Sequence, residues 1–278
     1  MKQLILLGTV HRDPRGKKRL TKALDEIKPG AISLEVSPAS IRIRMEKGRG
    51  WQNLFRTRLR GLSRETGQSL ARLMGHRNLR GVFEYLRFPY EYRAALDYAK
   101  SNNTPLFLLD DSEMAAAYLN RVEDEILSAR NMALLVQADS DGSLGREVDL
   151  MYEQASQLVD SSDADMKNRA PKAKDRQTFQ DRENTLSQKL RLLHQGLTRR
   201  SGMTLPGQEL AAGLIVATEA IGHLPDSVRL EPDRAHLYIC GWEHLVEDED
   251  KTSLCYLLKD LAPQIRLCHK PARFQPVG

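Results

Sequence analysis

The chain has 278 residues, of which 41% are hydrophobic and 28% charged, and its formal net charge is +5. This length suits one large or two modest domains, and the composition is that of a soluble globular protein. No apolar run reaches the roughly 18 residues that span a bilayer, and no signal peptide is visible, so a membrane span is not expected. Three widely spaced cysteines without a CxxC pair indicate reduced thiols in a cytoplasmic protein rather than a disulfide framework.

The first predicted elements form a βαβ unit. Residues 4–7 are all apolar and are followed by Gly8, which predicts a buried strand that ends in a turn. Apolar residues at helical spacing over residues 20–27 predict a helix, which Lys28-Pro29-Gly30 ends. Residues 31–35 predict a second strand, so we expect two parallel strands with a right-handed crossover.

A basic segment follows the second strand. Residues 37–81 lack a continuous pattern and contain several glycines, which predicts short helices and loops. Twelve Lys and Arg residues lie between residues 42 and 87, opposed by only three glutamates. Such a block binds nucleic acid or another polyanion, or else it is a solvated helical face. The small number of aromatic residues among the basic ones and the lack of a nucleic-acid-binding motif favour the solvated face.

The α/β pattern continues to about residue 111 and then gives way to helices. A helix after Pro89 leads into a third buried strand over residues 105–109, which ends in Asp110-Asp111. Helical patterns follow over residues 112–137, 146–159, 175–199 and 204–222, with a polar linker at 160–174. The α/β pattern returns with a strand over 236–240, a helix over 248–261 and a strand over 265–268. We therefore predict one α/β domain over residues 1–278, with a central mixed, largely parallel sheet, flanking helices and an inserted helical cap over about 112–233.

Residues of the types that bind metals or transfer protons follow four of the predicted strands: His11, Glu35, Asp110 and His244. In open α/β sheets, ligands bind beyond the carboxyl ends of the parallel strands, so these side chains are expected at one edge. Two of them end the same local pattern, G-x-x-H, at residues 8–11 and 241–244. Two imidazoles and a carboxylate are a common ligand set for a catalytic divalent metal that leaves a position for water.

These residues also have structural interpretations. A histidine at a strand end is often only a hydrogen-bonding group, Glu35 pairs readily with Arg42 or Arg44, and an aspartate such as Asp110 suits the cap of the next helix. The two histidines are more than 200 residues apart, and the chain has no short metal motif such as HExxH. The repeated G-x-x-H pattern together with Glu35 supports a functional site at this edge.

Several motifs together resemble a known family. The series GTVH, SLEVS, PYEYRAA, DRENTL and GWEH is similar to that of the TraB/PrgY and Tiki superfamily of metal-dependent proteases. That family has two G-x-x-H motifs, a glutamate after the second strand, a glutamate on an alanine-rich helix and a helix that carries an arginine. The corresponding positions in this chain are His11, Glu35, Glu91, Arg182 and His244.

The resemblance implies a metal-dependent hydrolase, most similar to a peptidase, with its site at the carboxyl ends of the strands. A peptide or small molecule would be the substrate. A divalent metal ion would be bound by His11, Glu35 and His244, and Glu35 would also take part in catalysis. Glu91 would act as general base or as a further ligand.

The resemblance also implies a role for arginines. Arg182, and one of Arg42 and Arg44, would orient a substrate carboxylate or stabilise an oxyanion. The family's arginine after the second-strand glutamate is displaced to Arg42 or Arg44 in this chain. The family's acidic-Arg pair is replaced by Asp110-Asp111.

Functions of other classes remain open. A protein of this fold that binds a peptide without cleaving it would be a regulator, and TraB/PrgY-like proteins are associated with control of peptide pheromone signals. Erythromycin esterases and haem-binding ChaN-like proteins are distant relatives of the fold, which leaves an ester hydrolase or a haem or iron binder open. The basic residues between 42 and 87 leave open a protein that binds DNA, RNA or another polyanion.

Overall fold

A computed structural model of the chain describes residues 3–138, 142–160, 176–209, 221–246 and 251–269. The strands in these ranges are β1 (Leu4–Thr9), β2 (Ala31–Leu34), β3 (Leu106–Leu108), β4 (Thr204–Pro206), β5 (Ile221–His223), β6 (Ser227–Arg229), β7 (His236–Gly241) and β8 (Gln264–Leu267). The α-helices are α1 (Gly16–Ile27), α2 (Pro38–Thr66), α3 (Leu70–Gly75), α4 (Arg77–Leu86), α5 (Tyr90–Asn102), α6 (Ser112–Asn120), α7 (Ala129–Gln137), α8 (Leu144–Asp160), α9 (Arg176–Arg199) and α10 (Leu254–Leu257). Val122–Ile126 forms a π-helical turn, and Trp242–Leu245 and Lys259–Leu261 form 3-10 turns.

Six of these strands form the central sheet, in the order β5-β3-β2-β7-β1-β8. β5 is antiparallel to β3, and the other neighbours in the sheet are parallel. This arrangement confirms the predicted α/β class with a mixed, largely parallel sheet and flanking helices. β1 and β2 are parallel, as predicted, but they are not neighbours, because β7 lies between them and pairs with both. β4 and β6 form a separate two-stranded antiparallel sheet.

The side chains of β1 alternate between two hydrophobic cores on opposite faces of the sheet. Leu4 and Leu6 belong to a core that α8, α9 and α10 help to form. Ile5 and Leu7 belong to a core that includes residues of α1 and α5. Every residue of β1 is buried, as is typical of parallel strands covered by helices on both faces. Because helices cover both faces of the sheet, side chains that contact a ligand are expected at the carboxyl ends of the strands.

A third core lies among α2, α3, α4, α6 and α7. Trp51, Phe55 and Leu59 of α2 are buried in it, and Trp51 Nε1 donates a hydrogen bond to Glu123 at 3.0 Å. The prediction of short helices and loops over residues 37–81 is therefore wrong for α2, which has 29 residues. Its internal glycines do not end it, because packing of its apolar face stabilises the helix more than local propensity weakens it.

The inserted segment over 112–233 differs in detail from its prediction. The helix expected over 112–137 is divided into α6, the π-helical turn and α7, and Ser128 caps α7 by accepting from the Asn131 N–H. The helix expected over 204–222 begins as β4 and ends as β5, while residues 210–220 lie outside the described residues. The polar linker at 160–174 also lies almost entirely outside them. No described helix combines the length and the hydropathy of a membrane span.

Candidate active site

The carboxyl ends of the central strands bring the predicted site residues together around Gly241. A Cβ atom built on Gly241 would lie 3.0 Å from His11 Nε2, 3.5 Å from His244 Cδ2 and 3.7 Å from Glu35 Oε2. The parallel register sets Thr9 of β1 beside Gly241 of β7, so the residues that follow both strands meet. The two G-x-x-H histidines therefore lie beside the same glycine.

Glu35 is the anion at the centre of this site. Its Oε2 accepts from the Gly241 N–H at 2.7 Å, and its Oε1 lies 2.9 Å from His244 Nε2. Nη2 of Arg182, on α9, donates to Glu35 Oε1 at 2.5 Å, and its Nε donates to Asp110 at 3.0 Å. Burial opposes ionisation of Glu35, but the charges of His244 and Arg182 outweigh burial and hold its pKa well below the usual range. Arg182 thus joins the ends of β2 and β3.

His244 is held on its other ring nitrogen by Glu183, a residue that the sequence did not single out. Its Nδ1 bonds to Glu183 Oε1 at 2.5 Å, and Glu183 Oε2 accepts from the Leu254 N–H at 2.7 Å. Phe179, one turn earlier on α9, stacks on the imidazole with ring centroids 5.6 Å apart. Burial opposes protonation of His244, but the charges of Glu35 and Glu183 raise its pKa to about 10. The imidazole is thus fixed on both nitrogens and on one face.

His11 has a matching arrangement beside the neighbouring strand. Its Nδ1 lies 3.0 Å from Oε1 of Glu91, a buried residue in the first turn of α5. The Thr9 hydroxyl lies 3.3 Å from the same carboxylate oxygen and 2.9 Å from the Cys240 carbonyl oxygen. Desolvation opposes protonation of His11, but the hydrogen bond and charge of Glu91 raise its pKa to about 9. The His11 side chain is 52% exposed, so it is accessible in a way that His244 is not.

The site opens into a cavity of about 690 Å³. His11, Glu35 and Glu91 line one part of its wall, and residues from the start of α2 and from α6 line another. A cavity of this volume suits a small ligand or a short peptide. Because the cavity reaches the half-exposed His11, a bound molecule would contact the histidine–glutamate pair directly.

Comparisons of the chain with protein-family models, with curated proteins and with solved structures find no match. The resemblance to the TraB/PrgY and Tiki superfamily consequently stays a prediction that rests on short motifs. A fold of this class hosts many chemistries, so function is inferred here from the residues of the site.

The donors around Gly241 are of the right type for a divalent metal ion. His11 and His244 each have Nδ1 held by a buried carboxylate, as metal-binding histidines usually do. His244 Nε2 and Glu35 Oε1 are 2.9 Å apart, near the spacing on the order of 3.3 Å between two donors on one tetrahedral ion. Within the described ranges, however, no three His, Cys, Asp or Glu side chains are arranged to share one ion. Joint binding of a metal by all three residues therefore requires at least one of their side chains to move.

The two arginines predicted near Glu35 have different surroundings. Arg42 and Arg44 both lie on α2, but Arg42 is exposed whereas Arg44 is buried and lines the cavity. The interpretation that Glu35 pairs with one of them is wrong, because its guanidinium partner is Arg182. The cap of α6 is Asp111, whose side chain accepts from the Met114 N–H at 2.7 Å.

Glu183 is the main site residue that the sequence interpretation missed, although a signal for it was present. It lies in step with the apolar face of α9, four residues after Phe179 and three before Leu186. A carboxylate at such a position is buried when the helix packs, and a buried carboxylate needs partners. A charged residue within an apolar helical stripe was therefore the observation that could have identified it.

Proposed function

We propose that the chain is a hydrolase that activates water beside Gly241 and cleaves a peptide-like bond with the help of a divalent metal ion. The observation that supports this most strongly is the matched pair of carboxylate-held histidines, His11 with Glu91 and His244 with Glu183. Ionisable side chains that are buried and strongly coupled are costly to a fold and concentrate at functional sites. The accessibility of His11 to a cavity favours chemistry over a purely structural network.

The residues of the site take distinct roles in this proposal. His11, His244 and Glu35 would hold the metal ion, which when bound would supply a Lewis acid and lower the pKa of a bound water. Glu91 and Glu183 accept from Nδ1 of the two imidazoles, so Nε2 of each would be the metal-binding nitrogen, and His244 Nε2, now 2.9 Å from Glu35 Oε1, would share the ion with that carboxylate. Glu91, which the resemblance assigned as general base or ligand, is thus a positioning residue whose carboxylate is engaged with His11.

Arg182 offsets the negative charge of the carboxylates in the site. It pairs with both Glu35 and Asp110, and its side chain is partly exposed to the cavity. A guanidinium in this position stabilises negative charge that develops on a carbonyl oxygen during attack. The same cation holds Glu35 in the orientation that the histidines require.

Metal content tests the proposal most directly. Protein purified without chelator is loaded with Mn²⁺, Co²⁺ or Zn²⁺, desalted and analysed by elemental mass spectrometry, next to a His11→Ala/His244→Ala variant. His194→Ala is the matched control, because His194 is also a partly buried histidine but lies away from the site, against His236. We expect metal in the wild type and in the control and none in the double variant. Equal content in all three proteins contradicts the metal site.

Hydrolysis is tested separately. A defined mixture of short peptides and esters is incubated with the loaded protein, and products are identified by mass spectrometry with and without chelator. Cleavage that the chelator and His11→Ala abolish supports the hydrolase. Metal binding without any cleavage supports instead a non-catalytic peptide-binding protein of the same fold.

A second candidate function, polyanion binding, is supported by the exposed face of α2. Arg42, Arg49, Arg56 and Arg60 are all exposed and are spaced by seven, seven and four residues, which sets them along one side of the helix. Contacts of about three or four phosphates predict a slope of about −3 in log K against log salt. Fluorescence anisotropy with single-stranded DNA and RNA, for the wild type and an Arg49→Glu/Arg56→Glu variant, measures this slope. A flat salt dependence refutes phosphate-driven binding.

A further inference from the structure

Arg44 is a buried cation without a counter-ion in the described part of the chain. Its side chain lines the cavity of the candidate active site although the residue is only 8% exposed. Its Nε and Nη1 atoms are both buried, and neither makes a hydrogen bond among the described residues. The group that contacts it is Tyr85, whose ring centroid lies 5.2 Å from the guanidinium carbon. Buried polar atoms of this kind are rare and call for an explanation such as a ligand that they bind.

Five of the six carboxylates that line the cavity form ion pairs with other cations, and the sixth, Glu243, acts electrostatically on His11. Glu35 pairs with Arg182 and His244, Glu91 pairs with His11, and Glu84 pairs with arginines of its own helix region. Desolvation lowers the pKa of Arg44, and among the described residues this effect is opposed by Tyr85 rather than by a carboxylate. Arg44 therefore lines the cavity without an ion-pair partner among the described wall residues.

The start of α2 strengthens the positive potential on the same side. α2 begins at Pro38, its N-cap is Ser37, and both Ser37 and Ser40 line the cavity. The N-terminal end of a helix of 29 residues carries the positive end of the helix dipole. Arg44 follows two turns later on this helix, so the dipole and the unpaired guanidinium act on the same region of the cavity.

We propose that this part of the cavity is an anion subsite, in which Arg44 binds the carboxylate of a short peptide whose scissile bond lies toward His11 and Glu35. This inference rests on the proposed hydrolase and names its substrate class, peptides with a free carboxylate. Arginine suits the role because its planar guanidinium binds carboxylate oxygens with directed, charge-assisted hydrogen bonds. Phosphate has the same oxyanion chemistry, so the test includes it as a separate arm.

Binding is measured without turnover, so that the result does not depend on catalysis. An equimolar pool of N-acetyl tripeptides with free carboxylates and a matched pool of the tripeptide amides are incubated with the protein in chelator. Retained peptides are identified by affinity-selection mass spectrometry, and inorganic phosphate is tested as a competitor and as a direct ligand by calorimetry. The variants are Arg44→Gln and Arg44→Lys. Arg64→Gln is the matched control, since it removes the same charge from an exposed position on the same helix.

We expect the wild type and Arg64→Gln to retain acids about 10- to 100-fold more than amides, the range for loss of one charged hydrogen-bonded pair. The preference should vanish in Arg44→Gln and persist in part in Arg44→Lys. Equal retention of acids and amides by the wild type, or an unchanged preference in Arg44→Gln, overturns the proposal. Binding of phosphate without retention of any tripeptide acid overturns the peptide assignment.

Thermal unfolding separates this role from a structural one. Arg44→Gln removes no ion pair in the described part of the chain but does remove the contact with Tyr85, so its unfolding temperature should stay within a few degrees of that of the wild type. A large decrease, with loss of binding attributable to misfolding, contradicts a subsite at Arg44. If the protein prefers acids but hydrolyses no peptide, the subsite proposal stands and the hydrolase proposal is rejected. If it hydrolyses acids and amides equally well, the hydrolase proposal stands and the subsite proposal is rejected.

Discussion

Replacing Glu183 by alanine is predicted to remove about 3–5 kcal/mol from the free energy of unfolding, as expected when one partner of a buried charged network is deleted. The Glu183 carboxylate is fully buried and accepts from His244 Nδ1 and from the Leu254 N–H. Each buried donor that loses its acceptor costs about 1–3 kcal/mol. Alanine has no carboxylate to desolvate on folding, and this reduces the destabilisation. The cavity that the deleted side chain leaves increases it.

Urea denaturation followed by circular dichroism at neutral pH measures the effect. Asp181→Ala is the matched control, because Asp181 is an exposed carboxylate two residues earlier on α9, and its change should stay within about 0.5 kcal/mol. Glu183→Gln keeps the shape and one acceptor oxygen, so we expect a loss between those of the control and of Glu183→Ala. The reasoning is refuted if Glu183→Ala unfolds within about 1 kcal/mol of the wild type, since the buried network would then contribute little.

Two further predictions concern packing and pH. Gly16→Ala should destabilise the fold by about 1–3 kcal/mol, because the new Cβ would lie 2.4 Å from the Tyr90 ring. Gly48→Ala should stabilise α2 by up to about 1 kcal/mol, because no atom lies within 4 Å of its new Cβ. Chemical denaturation of both variants measures these opposite changes in the free energy of unfolding. His236 is fully buried against Ser33, and burial holds its pKa well below the ordinary 6.5. Below pH 6.5 the unfolded chain binds a proton that the folded chain does not, so stability is lost as pH falls, by up to about 1.4 kcal/mol per pH unit. Urea midpoints at about pH 7.5 and about pH 5.5 should therefore differ less in His236→Gln than in the wild type, and an equal difference rejects this account.

The sequence predicted the central strands well because a strand that is buried on both faces consists mainly of apolar residues. Parallel strands covered on both faces are continuous apolar runs, such as the one in β1, and the glycines that end the runs of β1 and β7 were visible. The order of the strands was not predictable, since nothing local to β1 or β2 indicates that β7 separates them. The length of α2 was missed for a related reason, as its stability comes from residues far away in the chain that pack on Trp51 and Phe55.

The sequence predicted which residues belong to the site better than it predicted which residues they pair with. His11, Glu35 and His244 were identified from strand ends, and they do lie around one glycine. The partner of Glu35 was misassigned, because an arginine close in sequence is a poor guide when the true partner, Arg182, arrives on α9. Which nitrogen of a histidine meets which carboxylate depends on three-dimensional packing and has no sequence signature.

The position of β7 has a consequence for how the molecule assembles. β1 and β2 both pair with a strand that lies about 200 residues later in the chain, so during synthesis each presents an unpaired inner edge until β7 is made. Such edges are templates for pairing with other chains, and contacts of high sequence separation form slowly. A nascent or truncated chain that ends before residue 236 therefore contains His11 and Glu35 but lacks β7, the strand that joins β1 to β2. The two side chains are then not held together, and the site is not formed. The candidate active site can therefore form only after β7 has paired with β1 and β2.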